Sequence, residues 1–151
     1  MGLKKIEEAF ISEGYASIPF SFNAAGHPLI KAKLFNNVEA NFLLDTGASI
    51  NLLDYEFAKE LNLSLTLTEG KGCGAGGPIS EIYSLDNISL KIGGQHFKFD
   101  SFFSMDFSSM KEALTATGVT EEIQGILGFG FFQMTKCFID YTGSRIFILN
   151  N

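Results

Sequence analysis

Apolar and polar positions alternate through most of this chain, and helical spacing is confined to a few short stretches. The first stretch is 3–12, where Leu3, Ile6 and Phe10 fall on one helical face and Gly14 provides the stop. Alternation follows at once. Ile18, Phe20 and Phe22 alternate with Ser17, Pro19 and Ser21, and Asn23-Ala24-Ala25-Gly26 reads as a turn. A second strand over 28–35 sets Ile30, Ala32 and Leu34 against Lys31 and Lys33. Asn36-Asn37 suits a tight hairpin, because Asn tolerates positive φ. A third strand over 38–44 alternates Val38, Ala40, Phe42 and Leu44. The pattern therefore predicts a helix and a three-stranded meander whose last strand delivers Asp45.

Leu53, Phe57 and Leu61 share one face of a predicted helix over 54–61. Residues 64–68 are extended, and glycine then dominates at Gly70, Gly72, Gly74, Gly76 and Gly77. Extended sequence resumes over 79–92, turns at Gly93-Gly94 and returns over 95–103. A helix over 105–117 runs through Phe107, Met110, Ala113 and Leu114, with Gly118 to stop it. Ile126-Leu127-Gly128 precedes a short helix over 131–136, and strands over 137–141 and 145–149 flank Thr142-Gly143-Ser144. No solenoid repeat and no linker interrupts this order. One domain over 16–151 is expected, preceded by a helical extension over 1–15.

Composition narrows the function. A chain of 151 residues, 46% apolar and 19% charged, has enough length and apolar content for one core. The sixteen Phe sit largely in the alternating runs, where they read as core or interface filler. A net charge of −6 with no basic stripe argues against nucleic-acid binding and against polybasic membrane attachment. No stretch approaches the roughly 20 apolar residues of a membrane span, and Met1 to Phe10 lacks the apolar run of a signal peptide. The expected compartment is cytoplasmic, or periplasmic or exported if a leader has been removed ahead of Met1-Gly2. Cys73 and Cys137 have no close Cys or His neighbours, so zinc spacing is absent. A disulfide and two free thiols both stay open, with thiols favoured because cytosolic chains rarely keep disulfides. Glu7-Glu8 and Glu121-Glu122 lack partner ligands nearby in sequence. No metal and no cofactor is expected.

Two chemistries can be set aside. Gly72-Cys73-Gly74-Ala75-Gly76-Gly77 spells a dinucleotide fingerprint, but Pro78 and a strand-like run follow it where a helix must aim its amides at pyrophosphate. The glycines read better as a mobile hairpin tip that lets backbone approach a ligand closely. Neither His27 nor His96 is tied by motif to a nucleophile, and the Gly-x-Ser-x-Gly turn of a hydrolase triad is absent.

What remains is Phe42-Leu43-Leu44-Asp45-Thr46-Gly47-Ala48-Ser49, with its single Asp-Thr-Gly. An apolar strand ends in a carboxylate, a small hydroxyl residue and a glycine, which sets an acid at the mouth of a packed sheet. Asp140 lacks Thr/Ser-Gly behind it and reads as structural. Together with Ile126-Leu127-Gly128 before a short helix and the closing Phe138-Ile139-Asp140-Tyr141, this segment resembles the retropepsin-like aspartic proteases. These are the retroviral proteases and their bacterial and eukaryotic single-domain relatives. The resemblance covers about residues 16–149.

The resemblance implies an all-β fold with a few short helices, a closed six-stranded-barrel-like acid-protease architecture. It implies an aspartic endopeptidase acting on a peptide or protein substrate, with Asp45 of each chain forming a dyad across a homodimer. Asp45, Thr46 and Gly47 would be catalytic. Ala48, Leu127 and Gly128 would line the substrate site, together with Cys73, Gly74 and Ala75 of a flap over 70–77. The chain departs from the family in three places. Phe129 and Gly130 stand where retroviral members carry Arg and then Asn or Asp, so the polar contact from that helix back to the active-site loop is expected to be missing. The flap tip has no aromatic residue, and 104–124 has no counterpart in the minimal viral enzymes. A non-catalytic peptide-binding or dimerisation module on the same fold therefore stays open.

Overall fold

The alternating stretches form strands, because a period of two lets one face of each be buried. The computed structural model describes residues 2–70, 73–74, 77–78 and 81–149. In chain order its strands are β1 (Ala16–Pro19), β2 (Ser21–Phe22), β3 (Pro28–Lys33), β4 (Glu39–Leu44), β5 (Leu52–Asp54), β6 (Leu65–Leu67), β7 (Cys73–Gly74) and β8 (Gly77–Pro78). They continue as β9 (Tyr83–Leu85), β10 (Ser89–Ile92), β11 (Gln95–Lys98), β12 (Phe102–Met105), β13 (Gly125–Leu127), β14 (Phe138–Asp140) and β15 (Arg145–Ile148). The helices are short: α1 (Leu3–Ser12), α2 (Tyr55–Glu60), α3 (Ser108–Ala116) and α4 (Phe129–Met134). None of the described helices is long and apolar enough to cross a membrane.

The main sheet curls into a half-barrel in the order β11-β10-β3-β4-β13-β5-β12-β9-β6, with β2 paired to β3. Its central feature is an insertion. β4 and β5 follow each other in the chain, yet β13 lies between them, parallel to β4 and antiparallel to β5. The register sets Gly125 against Phe42, Ile126 against Leu43 and Leu127 against Leu44. Gly125 makes this fit. A Cβ there would stand 2.2–2.4 Å from the Phe42 ring and 2.8 Å from the Leu52 carbonyl oxygen. Phe42 is fully buried and cannot swing away.

Alternation along these strands feeds two apolar layers. Phe42, Leu44, Leu53 and Leu127 face the main core, whereas Leu43, Leu52 and Ile126 face a second cluster with Leu29, Phe107 and Ile123. Met110 and Leu114 of α3 pack on that second cluster. The 104–124 segment thus covers a sheet face that would otherwise expose a row of aliphatic side chains. Asp54, buried at the end of β5, fastens it: Lys111 Nζ lies 2.5 Å from Oδ2, and the Phe107 amide donates to Oδ1 at 3.2 Å.

A three-stranded sheet, β1-β15-β14, completes the chain. α1 lies on it through Phe10, whose ring stacks on Phe147 at 4.4 Å and touches Phe138 at 4.8 Å. Glu7 of α1 pairs with Arg145 of β15. Phe10 carries the expected apolar face, whereas Ile6 remains exposed.

Several expected elements change. Leu53 belongs to β5, so the helix begins after it at Tyr55. The extended run over 79–92 is broken between β9 and β10, where Asn87 adopts a φ of 56°. The run over 95–103 is likewise two strands. Asn36-Asn37 lies in a 3-10 turn, Phe35–Asn37, with Asn37 at a φ of 59°. The late helix starts at Phe129, two residues before the expected 131. Gly125→Ala should destabilise the protein by about 1–3 kcal/mol through overpacking against Phe42. A denaturant midpoint equal to that of the parent would contradict this packing.

Candidate active site

β4 brings Asp45 out of the core. Phe42, Leu43 and Leu44 are buried, and the next residues, Asp45, Thr46 and Gly47, are exposed. The Asp45 amide donates to the Leu127 carbonyl at 3.0 Å, which extends the β4–β13 pairing by one step. The Ala48 amide then donates to the Asp45 carbonyl at 3.1 Å and closes the turn. The Gly47 amide donates to Asp45 Oδ1 at 2.9 Å, so the carboxylate is oriented by the backbone directly behind it. A Cβ on Gly47 would lie 3.2 Å from that oxygen, tighter than ordinary contact.

The other wall of the loop is 127–129. Leu127 is 0% exposed and reaches Asp45 through its carbonyl rather than its side chain, which lies in the core. Gly128 passes so close to the loop that a Cβ would meet the Ile50 and Ala48 carbonyl oxygens at 2.5 and 2.6 Å. The Phe129 amide donates to the Ala48 carbonyl at 2.8 Å. The structure therefore brings Asp45, Thr46, Gly47, Ala48, Leu127 and Gly128 into one neighbourhood. Cys73 and Gly74 lie in β7, paired with Pro78 and Gly77 of β8 as the two arms of a hairpin. Ala75, between those arms, lies outside the described residues, as do Gly72 and Gly76.

One expectation is corrected. The polar contact between the late helix and the loop is present, but its side chain comes from the loop. Asn51, only 3% exposed, accepts the Gly128 amide on Oδ1 at 2.9 Å and the Phe131 amide at 3.3 Å. Gly130 leaves the space, since a Cβ there would stand 2.9 Å from Asn51 Nδ2. Sequence reasoning passed over Asn51. The available signal was a lone amide inside the apolar run Ile50-Asn51-Leu52-Leu53, because a polar group in such a run is buried only with a partner.

The remaining candidates stand outside the Asp45 loop and the 127–129 wall. His27 and His96 are exposed. Asp140 Oδ1 accepts the Gly143 amide at 2.8 Å and shapes the β14–β15 turn. Cys137 is a free thiol pushed up to about 12 by burial, which keeps it protonated and unreactive.

The aspartyl protease family matches residues 30–131, a span that holds β4, the Asp45 loop, β13 and the start of α4. No curated protein matches the chain. Among solved structures, it is similar to a retropepsin-like aspartic protease from Rickettsia conorii, at 24% identity and a TM-score of 0.59, over 88% of this chain and 98% of that one. It is also similar to EIAV protease in complex with an inhibitor, at 23% identity and a TM-score of 0.52, over 75% of this chain and 91% of the other. The retroviral protease-like domain of Ddi1 from Leishmania major superposes with a TM-score of 0.54 at 13% identity, over 83% and 90% of the two chains. These likenesses establish the fold, and the family match spans the loop that carries Asp45. The chain belongs to the aspartyl protease family and has a retropepsin-like fold.

Proposed function

We propose that two copies of this chain form an aspartic endopeptidase, with Asp45 of each copy facing the other across a two-fold axis. The observation that carries this reading is the exposed Asp45 carboxylate, held by the Gly47 amide on a hydrogen-bonded turn, in a chain with a single Asp-Thr-Gly. Hydrolysis by water needs a base for the water's proton and an acid at the carbonyl oxygen, and one carboxylate cannot be both at once. A second copy supplies the other. Two carboxylates about 3 Å apart share one proton, because like charges so close cannot both ionise, and they titrate as a pair.

The charged member takes a proton from water as the water oxygen bonds to the carbonyl carbon. The protonated member gives its proton to the carbonyl oxygen. Collapse of the tetrahedral intermediate breaks the C–N bond: the proton taken from water passes to the leaving amine, and one hydroxyl of the intermediate returns its proton to the other carboxylate as the new carbonyl forms, which restores the singly protonated pair. The Thr46 hydroxyl bonds across the dyad to the partner loop. Ala48 and Gly128 are small enough for an extended peptide to lie over them. The hairpin formed by β7, with Cys73 and Gly74, and β8 closes over the peptide and excludes water.

Two features support a second copy as the partner. β14 is the terminal strand of its sheet, an edge able to accept another strand. Phe129, Phe138 and Tyr141, each at least half exposed, and Met134 lie on α4 and on the hairpin that follows it. The non-catalytic reading draws on Gly130 and on the plain flap tip, and the Asn51 bond to the Gly128 amide answers the first of these.

Asp45→Asn should lower cleavage of a diverse peptide library by about 10⁴-fold or more, with fold and sedimentation unchanged. Activity near that of the parent would refute the assignment. Cleavage should be fastest on the acidic side of neutral, where one proton remains on the pair. A rate that peaks well above neutral would argue for different chemistry. Specific activity should fall on dilution in step with the dimer fraction measured by sedimentation. A fully active monomer would defeat the shared site.

A further inference from the structure

We propose that Asn51 is a positioning residue for the catalytic carboxylate, setting where Asp45 stands by holding the 127–129 backbone against the active-site loop. The proposal rests on the shared-dyad reading and adds a residue to it.

Three hydrogen bonds join the two segments. Two are backbone bonds, from the Asp45 amide to Leu127 and from the Phe129 amide to Ala48. The third, from the Gly128 amide to Asn51 Oδ1, depends on one side chain. Without it, a buried amide at the tightest approach of the two segments loses its acceptor. Asn51 is itself held, since its carbonyl accepts the Phe103 amide of β12 at 3.0 Å. It therefore joins β12, the end of the loop and the start of α4 at one point.

Gly130 gives independent support. It lies inside α4, where glycine is unfavourable, and it is not among the glycines with positive φ. Its backbone conformation does not require glycine. The space taken by Asn51 Nδ2 does, because a Cβ would stand 2.9 Å from that nitrogen. The pair makes sense as a unit: glycine at 130 is the clearance for an amide at 51.

A dyad works only when its carboxylates meet in a narrow geometry, and a displacement of about 1 Å can cost about 100-fold in rate. Asn51 acts on that geometry without touching substrate. The experiment compares kcat, KM and dimer fraction of the full chain with those of Asn51→Leu, Asn51→Asp and Gly130→Ala, using a peptide cleaved by the parent. Asn51→Leu should lose about 100-fold in kcat with KM little changed in the intact dimer. Asn51→Asp keeps the acceptor and should recover most of the rate. Gly130→Ala favours helix by propensity, yet should lower kcat about tenfold by crowding Nδ2. The Gly47 amide shift in NMR, which reports its bond to Asp45, should move in Asn51→Leu and Gly130→Ala and return in Asn51→Asp.

Parent-like kcat and an unmoved Gly47 signal in Gly130→Ala would overturn the proposal, even if Asn51→Leu failed to fold. So would a loss in Asn51→Leu that vanished once protein concentration restored the dimer. Asp45→Asn separates the two readings. If it is inactive while the Asn51 and Gly130 variants keep full rate, only the positioning role fails. If it cleaves as well as the parent, the dyad itself is wrong, and the Gly47 signal alone judges Asn51.

Discussion

The insertion of β13 between β4 and β5 is the constraint on which the rest of this molecule depends. A strand from late in the chain must enter between two early neighbours and bond to both. That entry requires glycine at two points. Gly125 must clear the Phe42 ring, and Gly128 must clear the Ala48 and Ile50 carbonyls. Once seated, the strand hydrogen-bonds Asp45 through Leu127 and sends α4 off behind the loop. The carboxylate is therefore held by the centre of the sheet, although it stands on a turn.

This arrangement explains why the sheet has apolar side chains on both faces. A central strand with neighbours on either side is buried above and below, so Ile126 and Leu127 enter different apolar clusters. The main cluster fills the half-barrel. The second is closed by Phe107, Met110 and Leu114, and Asp54 binds that cover to β5 through Lys111 and the Phe107 amide. The 104–124 segment thus contributes to the burial that fixes the site, while α1 performs a similar service for the terminal sheet through Phe10 and Glu7.

Legibility in the sequence followed the range of the interactions. The meander was plain in its period-two pattern, and Asp45-Thr46-Gly47 announced its own turn because the Gly47 amide reaches back only two residues. Breaks at Asn87 and before Phe102 were hidden, since Ile88 and Leu90 continue the apolar alternation on the far side. β5 was hidden too, being three residues long and apolar on both faces. Asn51 left the faintest trace. Its bond to Gly128 spans 77 positions and pairs a side chain with a backbone amide, so no local spacing encodes it. Glycine at 130 was read as a missing contact when it is the clearance for that amide.

The central claim is that one active site needs an Asp45 from each of two chains, and subunit mixing tests it most directly. Parent chains are co-folded with increasing amounts of Asp45→Asn chains, and cleavage is measured per parent chain at constant total protein. A shared dyad predicts that activity falls in proportion to the parent share of the mixture, because a mixed dimer holds a single acid. Activity per parent chain that stays constant as mixed dimers accumulate would contradict the account.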